Sequence, residues 1–367
     1  MATYLVTGGC GFIGSHLVDL LVRQGHRARV LDDLSSGRTH NLAPEAELVI
    51  GDVADPAIVA LAMKGATGCF HLAAHASRHA ATDDWLGSHR TDLTGTITVF
   101  DAARARTVPV VYASSAAVYG DGSDQRLSEM ATTRPVTAHG ADKLGGEMHA
   151  RVAAGVHDVP TAGLRFFNVY GPRQDAAAPN AGVVSIFAAR ALAGEPMPLH
   201  GDGEQTRDFI FVADVAAHLT AAMDRLLERQ RDRRPAAAGV FNVCTGQATR
   251  IRELAMLITR LSGRPLRLAS ESARAGDIRR SLGDPSAAIR HLRIAATTAL
   301  EDSHRQAERH QARCRLRLAG THRDQALQDD GKGRSETDKG RQQACGHCRS
   351  YRRRCDRGGG GGRGGRG

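Results

Sequence analysis

Short apolar runs alternate with longer amphipathic stretches over about the first 150 residues of the chain. Apolar residues recur at helical spacing through Ile13, Leu17 and Leu21, and this pattern ends at Gly25, a residue type that commonly terminates helices. The alternation predicts an α/β fold in which helices flank a doubly wound parallel sheet. The predicted strands cover residues 4–7, 28–31, 48–50, 69–72 and 110–113.

The pattern changes twice after this alternation. From about residue 155 the elements become shorter and prolines more frequent, which predicts a smaller lobe that covers a ligand. After about residue 312 apolar residues nearly vanish and the chain ends in GGGGGRGGRG, a composition typical of disorder. We therefore expect a doubly wound domain over 1–154, a mostly substrate-binding lobe over 155–312 with some elements returning to the first domain, and a disordered basic tail over 313–367.

The net charge of +10 comes from the end of the chain. Residues 1–292 carry 31 basic against 30 acidic side chains, whereas residues 293–367 carry 18 against 9. The predicted domains are therefore almost neutral, which argues against nucleic-acid binding by the folded part. The sequence has no long apolar stretch and opens without a signal peptide, so we expect a cytoplasmic protein with free thiols at Cys10, Cys69 and Cys244.

A glycine-rich segment, TGGCGFIG at residues 7–14, joins the first predicted strand to the first helix. Glycine at positions 8, 11 and 14 permits a tight turn, lets a pyrophosphate approach the backbone, and allows close helix–strand packing. The N–H groups at the start of the helix then face the phosphates. The strand before and the helix after this segment favour a Rossmann-type dinucleotide site over a plain structural turn. The residues expected to contact the cofactor here are Gly8, Gly11, Phe12, Ile13 and Gly14.

Asp32 indicates which dinucleotide binds. It ends the second predicted strand, 18 residues beyond Gly14, where a carboxylate can accept both hydroxyl groups of the adenosine ribose. An acidic residue there would repel a 2′-phosphate, so NAD is favoured over NADP, while Asp33 is expected to cap the following turn. Asp52 follows the third strand and is expected to meet the adenine amino group. The remaining expected cofactor contacts are Val53, Leu72, Ala73 and Ala74.

Polar side chains at the end of the fifth predicted strand indicate a reaction centre. This strand runs into Ser115 within VVYASSAAVYG at residues 110–120, and ligands of open α/β sheets bind beyond such carboxyl ends. Downstream come HGADK at 139–143, LRFFNVYGPR at 164–173, GDGEQTRDF at 201–209 and RAGD at 274–277. In this order and spacing the segments resemble the extended short-chain dehydrogenase/reductase family, specifically its UDP-sugar 4-epimerases, over about residues 1–292.

The resemblance implies tightly bound NAD, a homodimer, and epimerisation at C4 of a UDP-hexose through a transient 4-keto sugar. Carried over to this chain, it implies that Ser115 hydrogen-bonds the sugar O4 and that Lys143 binds the nicotinamide ribose and lowers the pKa of the base. The residues implied at the nucleotide part of the substrate are Asn168 and Arg207 at the diphosphate, and Arg274 and Asp277 near the uridine.

His139 departs from the family pattern, because the resemblance implies a tyrosine here as the base that takes the O4 proton. Neutral imidazole, whose unperturbed pKa is about 6.5, can accept a proton. Its nitrogen nevertheless reaches roughly 2 Å less far than a phenolic oxygen, and such a displacement can slow catalysis on the order of 10²-fold. Two interpretations remain open. Either His139 is a base, with water bridging the gap, or it fills space in a weak or inactive homologue that binds NAD and UDP-sugar.

Two further features bear on the reaction and the sugar. Ala116 and Ala117 stand where related dehydratases and decarboxylases carry acidic residues, and alanine cannot transfer protons, so both reactions are disfavoured. Ser281 lies four residues beyond Asp277, at a position that borders the hexose in the family. A small residue there leaves room for an N-acetyl group, which points to UDP-GlcNAc and UDP-GalNAc, with conversion of UDP-Glc and UDP-Gal alongside them left open.

The tail carries two features that resemble other kinds of site. A single Cys-x-x-Cys at Cys345 and Cys348 lacks the paired spacing of a structural zinc site, so no metal is expected. The Gly/Arg-rich ending could bind RNA electrostatically. The abrupt change from family-like sequence favours instead an unselected extension after about residue 312, so neither a nucleic acid nor a membrane is an expected partner.

Overall fold

The computed structural model describes residues 1–75, 84–121, 126–178, 181–273 and 278–302. Seven strands form a central sheet in the order 11-6-5-4-1-2-3, and every neighbouring pair in it is parallel. The strands are β1 (Thr3–Thr7), β2 (Arg27–Asp32), β3 (Glu47–Ile50), β4 (Gly68–His71), β5 (Val110–Ser115), β6 (Thr161–Phe166), β7 (Asn168–Tyr170), β8 (Met197–His200), β9 (Thr206–Arg207), β10 (Phe209–Phe211), β11 (Ala238–Val243), β12 (Thr249–Arg250) and β13 (Leu268–Glu271).

The five strands predicted from the apolar pattern correspond to β1–β5, and the predicted doubly wound α/β fold is confirmed. Strand β5 runs two residues further than predicted, so Ser115 is its last residue. The helices are α1 (Phe12–Arg23), α2 (Pro56–Met63), α3 (Trp85–His89), α4 (Gly95–Arg104), α5 (Ala138–His157), α6 (Val183–Ala193), α7 (Val212–Arg231) and α8 (Ile251–Ser262).

Apolar clusters on the two faces of the sheet hold the helices in place. One cluster packs α1 and α7 against the sheet, through residues such as Leu17 and Leu219. The other includes α2, α4 and α5, through Val59, Val99 and Ala150. Burying a side chain of this kind contributes about 1.5–3 kcal/mol. The period of the apolar residues in each helix therefore determines which face of the helix the sheet covers.

A third cluster lies in the part of the chain outside the main sheet. It packs α6 and α8 around short strands and includes Phe187, Leu199 and Leu254. The short strands form three pairs, β7 with β10, β9 with β12, and β8 with β13. Partly buried Phe12 and Ile13, which open α1, pack against the same cluster. The start of α1 is thus in contact with both the main sheet and the smaller layer.

The described residues bear on the expectations for the thiols, a membrane span and the tail. Cys10, Cys69 and Cys244 are buried free thiols, as expected. In the described part of the chain, the helices are too short or too polar to span a bilayer. The predicted tail over 313–367 and the two residues expected near the uridine, Arg274 and Asp277, lie outside the described residues.

Candidate active site

The glycine loop between β1 and α1 is packed too tightly for side chains. A Cβ on Gly14 would lie 2.2 Å from the carbonyl oxygen of Gly8, and Gly8 itself has a φ of +69°. A Cβ on Gly8 would lie 2.7 Å from the amide nitrogen of Ala73. Gly11 forms the N-cap of α1 and supplies no capping side chain. The loop therefore leaves the start of the helix open to an anion, which suits the pyrophosphate of a dinucleotide.

Asp32 ends β2 with its carboxylate held by the backbone. One oxygen accepts from Cys10 N–H and the other from Leu34 N–H, each at 2.9 Å. Burial raises the pKa of Asp32 above its usual range, although these two N–H groups act in the opposite direction. Each carboxylate oxygen keeps a second acceptor position for a ribose hydroxyl. Asp33 accepts from Ser35 N–H at 2.9 Å, which is the turn-capping role expected for it.

Thr7 connects the glycine loop with the loop after β4. Its hydroxyl oxygen accepts from Leu72 N–H and Ala73 N–H, both at 3.2 Å. The 72–74 segment, where the sequence predicts cofactor contacts, is thereby held against β1 and Gly8. Ala74 is half-buried in the same loop. The backbone at these small residues is consequently close to the glycine loop, as a bound dinucleotide requires.

His71, at the end of β4, extends this connection into the helical layer. Its Nδ1 lies 2.8 Å from Thr7 Oγ1 and its Nε2 lies 2.9 Å from Thr96 Oγ1. Thr96 donates its own hydroxyl proton to the carbonyl oxygen of Asp92 at 2.6 Å, so its oxygen accepts from His71. Burial lowers the pKa of His71 to about 3, so the ring is neutral. A directional chain of hydrogen bonds thus joins the cofactor loop to the turn that carries Asp92.

Asp52 and Val53 follow β3 and are fixed by different contacts. Asp52 accepts from Ala54 N–H at 2.8 Å and pairs with Arg90 at 2.8 Å. Val53 is buried beneath the start of α4, where a Cβ on Gly95 would lie 2.6 Å from its Cγ1. The adenine contacts expected for these residues remain a prediction.

Helix α5 begins beside the end of β5. A Cβ on Gly140 would lie 2.6 Å from the carbonyl oxygen of Ala117, so the first turn of α5 packs directly on the 3₁₀ turn Ala116–Tyr119. Thr137 caps the helix by accepting from Gly140 N–H at 3.1 Å. Ser115 starts the 3₁₀ turn, and its hydroxyl accepts from Ala117 N–H at 3.1 Å. The helix turn that carries His139 therefore lies against the turn that begins at Ser115.

His139 makes a contact that the sequence reasoning missed. Its Nδ1 lies 2.9 Å from Oδ2 of Asp92, whose side chain has 0% exposure, while the His139 side chain keeps 22%. Asp92 belongs to a π-helical turn, Arg90–Thr94, that joins α3 to α4. Such turns occur frequently at functional sites.

Lys143 is buried one helical turn beyond His139, and its charge lowers the pKa of neighbouring groups. Burial by itself would raise the pKa of Asp92, but the Lys143 ammonium and the His139 ring outweigh this effect and hold that pKa below its usual range. The same ammonium contributes to the low pKa of His71, after burial. The structure thus brings the three predicted catalytic residues, Ser115, His139 and Lys143, to one edge of the sheet.

The residues expected at the diphosphate and the hexose are brought together by the segment 206–208. Asn168 donates its backbone N–H to the carbonyl oxygen of Asp208 at 3.0 Å, and Ser281 donates its N–H to the carbonyl oxygen of Thr206 at 3.2 Å. Arg207 lies between Thr206 and Asp208 in the sequence and is buried. One of its guanidinium N–H groups donates to the carbonyl oxygen of Thr206 at 2.8 Å. Three of the predicted substrate residues therefore share one backbone scaffold.

Asp208 anchors that scaffold, although the sequence reasoning gave it no role. Its carboxylate accepts from Thr245 N–H at 2.8 Å, from the Thr245 hydroxyl at 2.7 Å and from Gly246 N–H at 2.9 Å. A fourth donor, the N–H of Gly283, lies 3.3 Å away. Burial raises the pKa of Asp208 against these hydrogen bonds. The carboxylate holds the segment containing Ser281 next to Arg207, an arrangement that no local sequence pattern reveals.

A second buried network lies directly behind Ser115. Ser114 donates to Glu147 at 2.6 Å, and Glu147 pairs with Arg165 through contacts of 2.7 and 2.8 Å. Arg165 also donates to the hydroxyl of Tyr119 at 2.9 Å. A fully partnered buried ion pair of this kind fixes geometry more than it adds stability. It ties α5, β5 and β6 together behind the reaction centre.

The parallel sheet, the glycine loop and the buried Asp32 define a Rossmann-type dinucleotide-binding protein. More narrowly, the chain belongs to the NAD dependent epimerase/dehydratase family, whose model matches residues 4–244. A UDP-glucose 4-epimerase of Mycolicibacterium smegmatis is 38% identical over 286 residues, which are 76% of this chain and 88% of that protein. The family resemblance drawn from the motifs is confirmed.

Two solved structures extend the similarity to the whole described fold. The UDP-glucose 4-epimerase of Thermotoga maritima with UDP-glucose has a TM-score of 0.78 at 30% identity, covering 84% of this chain and 99% of that one. The UDP-glucose 4-epimerase of Thermus thermophilus in complex with NAD has a TM-score of 0.75 at 31% identity, covering 83% of this chain and 96% of that one.

Proposed function

We propose that this chain catalyses the NAD-dependent epimerisation of a UDP-hexose at C4, with His139 as the base. The observation that carries the proposal is the packing of the α5 turn holding His139 against the turn that begins at Ser115. This packing occurs at the carboxyl edge of the sheet, where β1 and its glycine loop also end. Family membership and the similarity to UDP-glucose 4-epimerases support the same conclusion.

The residues present fit NAD. The crowded loop at Gly8 and Gly14 permits close approach of the pyrophosphate, and Asp32 offers a negatively charged acceptor for the adenosine ribose. Lys143 is the expected partner of the nicotinamide ribose. Held by these residues, NAD would supply hydride acceptance at C4 of the sugar and return of the hydride to the opposite face.

The protein side chains manage the proton on the sugar O4. Ser115 lies at the strand end and orients O4 through its hydroxyl group. His139 accepts the O4 proton when C4 is oxidised and returns it when C4 is reduced. Because an imidazole nitrogen reaches roughly 2 Å less far than a phenolic oxygen, a bridging water completes this transfer and turnover is slower than with tyrosine. Asn168 and Arg207 hold the diphosphate, and Arg274 and Asp277 bind near the uridine.

The two residues after Ser115 favour epimerisation over dehydration and decarboxylation. Ala116 and Ala117 form the first turn after Ser115, and neither can donate or accept a proton. Those reactions need an additional acid or base at the sugar, and these two positions supply none. Epimerisation needs only the proton transfer at O4 that His139 provides.

A conversion assay tests the proposal. Purified protein is incubated with UDP-galactose and with UDP-N-acetylgalactosamine in D₂O, with and without added NAD. We expect the C4 epimer of each sugar without deuterium at C4, because the hydride taken from C4 is the one returned. Binding of NAD and UDP-sugar without conversion would show the alternative, an inactive binding homologue.

Ser281 leads us to propose UDP-N-acetylhexosamines as substrates alongside UDP-glucose and UDP-galactose. The residue is small and buried beside the β9 strand that carries Arg207. Ser281→Tyr should place a large ring at this position and leave conversion of UDP-galactose within about threefold. Conversion of the N-acetylated sugar should fall about 10- to 200-fold relative to UDP-galactose, a steric difference of about 1–3 kcal/mol. Equal loss for both sugars would contradict the assignment.

We propose further that the chain forms a homodimer through the outer face of α5. Met148, Val152 and Val156 recur every four residues on this helix and are 58%, 49% and 69% exposed. An apolar stripe of this kind on a helix surface favours burial against a partner. Sedimentation equilibrium should give twice the chain mass, and Val152→Asp should give the mass of a single chain.

We also propose that the protein resides in the cytoplasm, because its buried free thiols suit a reducing compartment.

A further inference from the structure

Asp92 and His139 form a buried carboxylate–imidazole pair from two distant segments. They are 47 residues apart in the chain, and the Nδ1–Oδ2 distance is 2.9 Å. The second carboxylate oxygen of Asp92 accepts from His75 N–H at 2.6 Å. Both oxygens of a carboxylate with no solvent exposure are therefore engaged, one by the backbone and one by the ring.

The charge state of Asp92 determines which ring nitrogen carries the proton. Although burial opposes it, the Lys143 ammonium and the His139 ring keep the pKa of Asp92 below its usual range, so the carboxylate is ionised near neutral pH. An ionised carboxylate can only accept hydrogen bonds. Nδ1 of a neutral His139 must then be the protonated nitrogen. Nε2, which has no hydrogen-bond partner among the described residues, keeps its lone pair.

The turn that carries Asp92 is itself held in place. The carbonyl oxygen of Asp92 accepts from the Thr96 hydroxyl, which in turn accepts from His71, whose other nitrogen contacts Thr7. Asp92 is the buried residue of the π-helical turn Arg90–Thr94. Such a constrained carboxylate can hold an imidazole in one orientation and one tautomer.

We propose that Asp92 is a positioning residue for the reaction, which holds His139 as the Nδ1–H tautomer so that Nε2 takes the proton of the sugar O4. The inference rests on the proposed function. In this step the O4–H bond breaks, directly or through the bridging water, and an Nε2–H bond forms, while the C4 hydride leaves to NAD. The resulting imidazolium is stabilised by the carboxylate of Asp92. The reverse transfer restores O4–H after the hydride returns, and Asp92 stays ionised throughout.

The tautomer can be observed without any turnover. In protein labelled with ¹⁵N-histidine, two-bond ¹⁵N–¹H correlations distinguish Nδ1–H from Nε2–H rings, and the His139→Gln spectrum identifies the His139 signals. We expect the Nδ1–H pattern at neutral pH. The Nε2–H pattern would overturn the proposal. If the Nδ1–H pattern is found but no sugar is converted, the proposed function fails while the arrangement of Asp92 and His139 stands.

Asp92→Asn tests the consequence for the reaction. An asparagine oxygen can still accept from His75 N–H, but its amide nitrogen donates toward Nδ1 and selects the Nε2–H tautomer, which has no base on the sugar side. We expect the NMR pattern to invert and kcat to fall about 10²–10⁴-fold, the usual contribution of a positioned base, with the Kd for UDP unchanged. A kcat within about twofold of the wild type would overturn the proposal.

A matched control comes from a second carboxylate–imidazole pair, which joins α5 to α3. Asp142 contacts Nδ1 of His89 at 2.8 Å, but His89 is 44% exposed at its side chain and has no part in the proposed reaction. Asp142→Asn should alter the His89 signals and leave kcat and the His139 tautomer unchanged. If both asparagine variants reduced kcat equally, Asp92 would have only a structural role and the proposal would be overturned.

Discussion

The cofactor half and the reaction centre meet at the same sheet edge but are built in different ways. The cofactor half is a continuous piece of chain, residues 7–14, followed closely by Asp32, and its geometry comes from backbone crowding. The proposed reaction centre combines Ser115, His139 and Asp92 from a strand end, a helix start and a π-helical turn. On the proposed function, the contact with Asp92 allows the reaction centre to use a histidine at position 139, whereas the crowded glycine loop has no such freedom.

The largest expected effect on NAD binding tests the lack of freedom in the glycine loop. Gly14→Val places a branched side chain where even a Cβ would lie 2.2 Å from the Gly8 carbonyl oxygen, so the loop must open. We expect NAD affinity to fall at least about 100-fold, or about 3 kcal/mol. NAD retained per chain after gel filtration and titration calorimetry measure the loss.

Gly155→Ala is the matched control for Gly14→Val. Gly155 lies within α5 and a Cβ there meets no atom within 4 Å. Alanine in a helix interior should therefore leave NAD binding unchanged and raise stability by about 0.5–1 kcal/mol. An equal loss of NAD from both variants would contradict the crowding argument.

A smaller effect on NAD affinity is expected at Asp32, which contributes a charged hydrogen-bond acceptor rather than close backbone packing. Asp32→Ala removes the acceptor for the adenosine ribose, and a hydrogen bond to a charged group contributes about 1.5–3 kcal/mol. NAD affinity should fall roughly 10- to 100-fold and the preference over NADP should weaken, as measured by calorimetric titration of both cofactors. Equal affinity of the unmodified protein for NAD and NADP would contradict the assignment.

Site residues that lie close together in the sequence could be predicted, whereas site residues brought together only by the fold could not. Gly8, Gly14 and Asp32 could be predicted because one segment and the next strand contain the whole cofactor motif. Ser115 could be predicted because strand ends of a parallel sheet share an edge. Asp92 could not, since its role depends on a partner 47 residues away.

The scaffold around Asp208 was missed for the same reason. Its carboxylate joins segments near residues 208, 245 and 283. The only signal available in the sequence was weak, an acidic residue within the segment at 201–209 that resembles the family. A buried acid becomes recognisable as an anchor only when its N–H partners are known.

The effect expected at His71, which links the two regions, is on stability rather than on NAD binding. Its pKa is about 3 in the folded chain, against about 6.5 when unfolded. Between these values the unfolded chain binds the extra proton, so stability falls as the pH decreases through this window, by up to about 1.4 kcal/mol per pH unit. In urea titrations from pH 7 to 4, His71→Gln should lose less stability on acidification than the wild type. Parallel pH profiles of the two proteins would show that His71 is not buried as a neutral ring.

The most direct test of His139 as the base is the turnover number of His139→Phe. Phenylalanine keeps a ring at this position but has no nitrogen to accept a proton. The account predicts that kcat for UDP-galactose falls about 10²–10⁴-fold, while bound NAD and the Kd for UDP stay at their wild-type values, because residue 139 acts mainly on the O4 proton. A variant that converts the sugar as fast as the wild type would contradict the claim that His139 is the base.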